Sequence, residues 1–182
     1  MSKITLVTGG SRSGKSTYAE NIYEGRDDVL YIATAIVTDE EMKDRIQRHK
    51  ESRNQNWKTH EGFKNLDKAI ENFKGGAILL DCITIMTTNL LFEEERDFDN
   101  FSKEDMDNIV LLIKNEFKKL ITKARNMNLD LVMVTNEVGW GIVPEYKISR
   151  IYRDIAGFIN QYVASLSDEV YLVACGLPVK LK

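Results

Sequence analysis

The sequence predicts an α/β fold with a mostly parallel central sheet, and three observations carry that prediction. Apolar runs at residues 4–7, 29–33, 77–80, 129–134 and 170–174 alternate with longer segments of helical period. The segment GGSRSGKS, residues 9–16, stands between the first apolar run and the first helical segment. Across 182 residues no internal repeat, low-complexity tract or Pro/Gly-rich linker breaks this order, and the only prolines are Pro144 and Pro178. Parallel strands need a helix-length crossover between them, which the alternation supplies. The length suits one substantial core, so residues 1–182 are expected to form a single domain.

Ile4, Leu6 and Val7 open the chain as a β run, and residues 15–24 continue as an amphipathic helix carrying Ala19, Ile22 and Tyr23. The strand at 29–33 precedes a helix over 39–53, in which Met42, Ile46, His49 and Arg53 fall on one face. A helix over 66–73 leads to the strand at 77–80. The acidic stretch 93–99 reads as a solvated connection with no function of its own. Residues 103–126 give the clearest helix, with Met106, Ile109, Val110, Ile113, Phe117, Leu120 and Ile121 in one stripe. A strand at 129–134, a helix over 145–166 and a strand at 170–174 follow, and residues 178–182 read as a short final strand.

With 43% hydrophobic and 29% charged residues and a formal net charge of -3, the composition is that of a globular protein and disfavours a general nucleic-acid binder. No run approaches the roughly 18 apolar residues of a membrane-spanning helix, and the first ten residues enter a strand without a signal-peptide core. The expected compartment is the cytoplasm, with no membrane insertion. Cys82 and Cys175 each follow an apolar run, where a thiol packs as core or lines a sheet end. Two cysteines make no disulfide framework, and neither has metal-ligand spacing to a His or a second Cys.

GGSRSGKS fits the phosphate-loop pattern G-x-x-x-x-G-K-[ST], and its strand-before, helix-after context is the one that chemistry needs. Glycines at 9, 10 and 14 are expected to free the backbone for unusual dihedrals, so that amides converge on an anion at a helix start. Lys15 reaches the terminal phosphates, and Ser16 offers a hydroxyl to a phosphate-bridging Mg²⁺. Asp81 closes the run AILLD and favours a role as a hard oxygen ligand to that cation over capping the next turn. In such sheets ligands sit at the carboxyl ends of strands, where Gly9, Thr34, Asp81 and Asn136 are expected to emerge together.

His49 lies four residues from both Arg45 and Arg53. Those cations favour a neutral imidazole and offer donors to a phosphate, an arrangement suited to nucleophilic attack on phosphorus. Spacing alone favours the plainer reading, a half-buried helix histidine between solvated arginines. His60 forms no H-x-x-x-H pair with it. Glu61 fits equally a ribose or base contact and a plain surface acid. The segment TNEVGWGIVP, residues 135–144, reads as a strand-end loop whose glycines let backbone approach a ligand. Beyond it, Arg153, Gly157, Asn160 and Gln161 share a helical segment at spacings that place them on a common side, with Gly157 permitting close packing.

GGSRSGKS, YIAT, the helix with IQRHKESR, ILLDCIT followed by TNLL, TNEVGWGIVP and RDIAGFINQ occur in that order over nearly the whole chain. This set resembles the bifunctional adenosylcobinamide kinase and adenosylcobinamide-phosphate guanylyltransferase family of cobalamin biosynthesis. The resemblance implies a three-layer P-loop NTPase fold of the RecA-like kind. It also implies two reactions. A nucleoside triphosphate, GTP or ATP, phosphorylates the aminopropanol hydroxyl of adenosylcobinamide; GTP then guanylylates a histidine, which the new phosphate attacks to give adenosylcobinamide-GDP. By motif position that histidine is His49.

Nucleotide contacts implied by the resemblance fall on Gly9, Gly10, Ser11, Arg12, Ser13, Gly14, Lys15 and Ser16, on Ala33, Thr34 and Ala35, on Lys50, Glu51, Ser52 and Arg53, and on Glu61 and Asp81. Lys15 and His49 are the implied catalytic pair; Ser16 and Asp81 are the metal ligands, for Mg²⁺ or Mn²⁺. Arg48 stands where some relatives carry another histidine, and Asp81 where some carry Glu. The resemblance further suggests a homotrimer. Two other functions fit parts of the sequence: a P-loop small-molecule kinase without guanylyl transfer, and a nucleotide-binding switch module. The switch has weak support, because DIAG at 154–157 lies within a helical pattern and no N-K-x-D motif occurs.

Overall fold

A computed structural model of the chain describes residues 2–36 and 53–182. Among them seven strands form one sheet: β1 (Ile4–Gly9), β2 (Val29–Ala33), β3 (Lys58–Glu61), β4 (Ala77–Asp81), β5 (Asp130–Val134), β6 (Glu169–Ala174) and β7 (Leu177–Lys180). Their order is β3-β2-β4-β5-β1-β6-β7. Every neighbouring pair is parallel except β6 with β7. The strand that feeds the phosphate loop and the strand that ends in Asp81 are thus separated by β5, the layout of the RecA-like class.

Alternate side chains of the inner strands point to opposite faces, and both faces are covered. Ile4, Leu6, Leu30, Ile32, Ile78, Leu80, Leu131 and Met133 pack on one side. They meet α2 (Leu66–Ala69), α3 (Ile83–Leu91), α4 (Lys103–Asn126) and α5 (Lys147–Leu166). Val7, Val29, Tyr31, Ala77, Leu79, Val132 and Val134 face the other way, against Ala19 of α1 (Lys15–Asn21), Tyr23 and Trp57. This is the expected three-layer arrangement. The stripe predicted along α4 is buried from Ile109 to Ile121 with Met106 at its margin, and Ser102 opens the helix with a capping box to Asp105.

Several expectations need correction. The edge strand β3, with sequence KTHE, was not expected: it has no apolar alternation, and its pairing is purely backbone to β2. The helix α3 was missed because ITIMTTNLL is rich in β-branched residues; burial of Ile83, Met86, Leu90 and Leu91 overrides that propensity. α1 ends at Asn21 and α2 at Ala69, both short of the expected lengths, while α5 begins at Lys147. The last strand is Leu177–Lys180. In the acidic connection Phe98 stacks on Phe101 with ring centroids 5.4 Å apart and packs against the core, so the segment is not wholly solvated. A Cβ on Gly157 would meet nothing within 4 Å, so close packing is not its reason. The four residues of α5 do share one side of the helix, at whose edges Asn160 is buried and Gln161 exposed, with Arg153 and Gly157 half-buried between. The helix expected over 39–53, apart from Arg53, lies outside the described residues.

Candidate active site

The carboxyl ends of β1, β2, β4 and β5 meet at a cavity of about 740 Å³. One wall is the phosphate loop and the start of α1, contributed by residues 11–17. Of the three glycines expected to free the backbone, each has a different position. Gly9 has no room for a side chain, since a Cβ would stand 2.5 Å from the Val173 carbonyl oxygen and 2.6 Å from Ser13 Oγ. Gly14 has φ +92°, a left-handed conformation costly for other residues. Gly10 shows neither constraint, and the loop's other left-handed residue is Arg12, with φ 56°.

Lys15 is buried at 9% exposure and donates from Nζ to the Gly10 carbonyl at 3.0 Å. That bond folds the ammonium back over the loop. Burial lowers its pKa, and the nearby Asp81 carboxylate and Cys82 sulfur pull in the opposite direction. The Ser13 hydroxyl is buried without a hydrogen-bond partner among the described residues. That oxygen packs against Gly9, 2.6 Å from where a Cβ there would stand, which is one reason position 9 takes no side chain.

Asp81 and Ser16 line the same cavity. A carboxylate and a hydroxyl are the hard oxygen donors that Mg²⁺ takes alongside phosphate and water, so the donor set fits a phosphate-bridging cation and not an all-protein cage. Among the described residues no three His, Cys, Asp or Glu gather as a metal cluster.

The expected residues divide. Ser11, Arg12, Ser13, Gly14, Lys15, Ser16, Ala33, Ala35, Arg53 and Asp81 line the cavity. Gly9 and Gly10, the first residues of the loop, are not in the lining. Thr34 is buried between its two alanine neighbours and ties strand ends together: its Oγ1 accepts from the Cys82 amide and donates to the Cys82 carbonyl, both at 2.8 Å. Glu61 is exposed at the end of β3, opposite Ala33 and outside the lining. The Arg53 guanidinium lies 4.1 Å from the centroid of Tyr31 and donates to Thr59 Oγ1 at 2.8 Å. His49, Lys50, Glu51 and Ser52 lie outside the described residues, as does Arg45.

Cys82 lines the sheet end, as expected, and Glu137 and Val138 come from the expected strand-end loop 135–144; Thr17, Tyr31, Thr84, Ile85 and Tyr152, not singled out from the sequence, complete the walls. Asn136, expected at the strand ends, donates to Thr84 Oγ1 at 2.7 Å, and the Tyr152 hydroxyl donates to the Thr84 carbonyl at 3.2 Å. Beyond Val138 the loop turns outward, with Trp140 72% and Ile142 95% exposed. The signal that finds Thr84 and Glu137 is position: both follow an apolar run that ends at the ligand side of the sheet.

A parallel sheet with a lysine-bearing loop at the end of one strand, and an acid at the end of the next strand but one, defines a P-loop nucleotide enzyme. The chain belongs to the cobinamide kinase / cobinamide phosphate guanyltransferase family, whose profile matches residues 5–181. It is 46% identical over 181 residues to the bifunctional adenosylcobalamin biosynthesis protein CobU of Salmonella typhimurium, covering 97% of this chain and 98% of that one. The protein of the same name from Escherichia coli is 42% identical with the same coverage. The bifunctional adenosylcobalamin biosynthesis protein CobP of Pseudomonas aeruginosa is 34% identical over 180 residues, or 97% of this chain and 96% of its own. Among solved structures, a KaiC-like protein from Pyrococcus horikoshii aligns with a TM-score of 0.47 and 15% identity, covering 93% of this chain and 71% of that one.

Proposed function

We propose that this chain phosphorylates the aminopropanol hydroxyl of adenosylcobinamide with a nucleoside triphosphate, GTP or ATP, and then transfers GMP from GTP to the new phosphate, giving adenosylcobinamide-GDP. The observation that carries the reading is the convergence of the phosphate loop, buried Lys15 and Asp81 on one cavity in a chain of this family. Residues 9–16 cradle the triphosphate, and Lys15 follows the transferring group as a point charge. Ser16 and Asp81 hold Mg²⁺, or Mn²⁺ in its place, which when bound neutralises charge between phosphate oxygens.

His49 is the guanylylated nucleophile, and Lys50, Glu51, Ser52 and Arg53 flank it on the nucleotide. Ala33, Thr34, Ala35 and Glu61 complete the nucleotide contacts. Residues 1–182 act as one domain, assembled as a trimer in the cytoplasm, where triphosphates are supplied. Among the described residues no helix is long and apolar enough to cross a membrane.

The test is product analysis with cobinamide as acceptor. With ATP the mass of cobinamide phosphate is expected, and with GTP present that of cobinamide-GDP. Phosphate without the GDP product would leave a kinase alone; no phosphorylation would overturn the reading.

A further inference from the structure

Glu137 stands at the carboxyl end of β5, between the loop strand and the Asp81 strand. Its amide donates to the Gly9 carbonyl at 3.0 Å, which ties this residue to the first glycine of the phosphate loop. Its carboxylate Oε1 lies 3.4 Å from both Thr8 Oγ1 and Asn160 Nδ2, two neutral donors on β1 and α5. Asn160 is itself pinned, accepting from Thr135 Oγ1 at 2.6 Å and donating to the Asn136 carbonyl at 3.2 Å. The carboxylate is therefore held from behind while the side chain lines the cavity.

Among the described residues the lining contains two carboxylates, Asp81 and Glu137. Asp81 is near enough to the Lys15 ammonium to oppose the effect of burial on it, and the proposed function assigns it to the cation. Phosphorylating an alcohol leaves one further task, which is to orient the hydroxyl and take its proton. A carboxylate over the loop, held by neutral donors, suits that task.

We propose that Glu137 is the acceptor-side catalytic residue of the kinase step, an inference that rests on the function proposed above. The substrate hydroxyl donates to the Glu137 carboxylate. Its oxygen forms a bond to the γ-phosphorus as the bond from that phosphorus to the β,γ-bridging oxygen breaks, and the bridging electron pair leaves with the nucleoside diphosphate. The hydroxyl proton passes to Glu137 and then to water. Guanylyl transfer makes no such demand, because its acceptor is a phosphate monoester that is already ionised at neutral pH.

The two activities therefore separate in Glu137→Gln, which retains side-chain size and an oxygen to accept from Thr8 and Asn160. Phosphorylation of cobinamide is expected to fall in kcat by about 10²-fold or more, with KM for the triphosphate within about threefold. Guanylyl transfer from GTP to separately prepared cobinamide phosphate is expected to stay within about threefold of wild type. Glu137→Asp should recover part of the kinase rate. A Gln variant that phosphorylates cobinamide at the wild-type rate overturns this role, and so does a parallel loss of both activities with a lowered Tm, which would mark Glu137 as structural. A wild-type protein that cannot phosphorylate cobinamide would overturn the underlying function instead, and is told apart by measuring it first.

Discussion

The amide of Gly176 donates to the carbonyl of Ser13 at 2.8 Å, so the turn between β6 and β7 is bonded directly to the phosphate loop. Gly176 has φ +78°, and its Cα lies 3.0 Å from where a Cβ on Gly14 would stand. The loop is therefore braced from below by a hairpin far from it in sequence.

That brace has an internal control. Gly25 has the same φ of +78°, and a Cβ at either Gly25 or Gly176 would meet nothing within 4 Å. Gly176→Ala and Gly25→Ala are each expected to lose about 1 kcal/mol in urea unfolding, the strain of a left-handed alanine. Only Gly176→Ala should raise KM for the triphosphate, by about twofold if half of that strain is relieved by shifting the loop. Gly176→Asn, which tolerates this conformation, should restore it. Equal KM values in both alanine variants would remove the brace from the site.

Asn160 is a buried polar group whose hydrogen bonds hold the end of β5. Asn160→Ala leaves Thr135 Oγ1 and the Asn136 carbonyl without their partner. A loss of about 1–3 kcal/mol is expected in urea unfolding, with the same m-value as wild type.

The layers and the loop were legible in the sequence because their causes are local. Apolar runs such as AILLD mark strands buried on both faces, and G-x-x-x-x-G-K-S demands a strand before it and a helix after it. β3 was not legible, since KTHE is held by pairing to β2 and has no apolar pattern of its own. Nor was the division of labour among the glycines. Gly9 is required by the distant Val173 carbonyl, and Gly14 by its own φ. The strand-end loop 135–144 was legible as a ligand-side segment, but the choice of Glu137 within it was not, because its bond to Gly9 depends on β5 lying beside β1, which strand order alone decides.

Acid should loosen the edge formed by β6 and β7. Hydrogen bonds from Lys180 and then Lys3, each at 2.7 Å, with a further one from Tyr171 at 3.0 Å, hold Glu169 down at about 2, against an ordinary 4.5. A depressed carboxylate stabilises the fold fully above its unfolded pKa, and that contribution is lost as pH falls from about 4.5 through about 2. Glu169→Gln should flatten this part of the pH dependence of urea unfolding. Added salt should weaken the wild-type effect, since Lys180 and Lys3 are more than half exposed. An unchanged slope in Glu169→Gln would contradict the assignment.

Asp81→Asn should raise the Mg²⁺ concentration needed for half-maximal kinase activity by about tenfold, the effect of losing one charged oxygen ligand worth about 1.4 kcal/mol. Lys15→Ala should abolish phosphorylation under the same conditions. Wild-type metal dependence in Asp81→Asn would free that residue from the cation.

In the function proposed here one chain carries both phosphoryl and guanylyl transfer, the second through His49. Incubation with GTP labelled at the α-phosphorus, followed by denaturation, tests it most directly. Label is expected on the protein, acid-labile and alkali-stable as a phosphoramidate on imidazole should be, and it should disappear in His49→Ala while phosphorylation of cobinamide persists. An unlabelled wild-type protein, or a His49→Ala variant that labels like wild type, would contradict it.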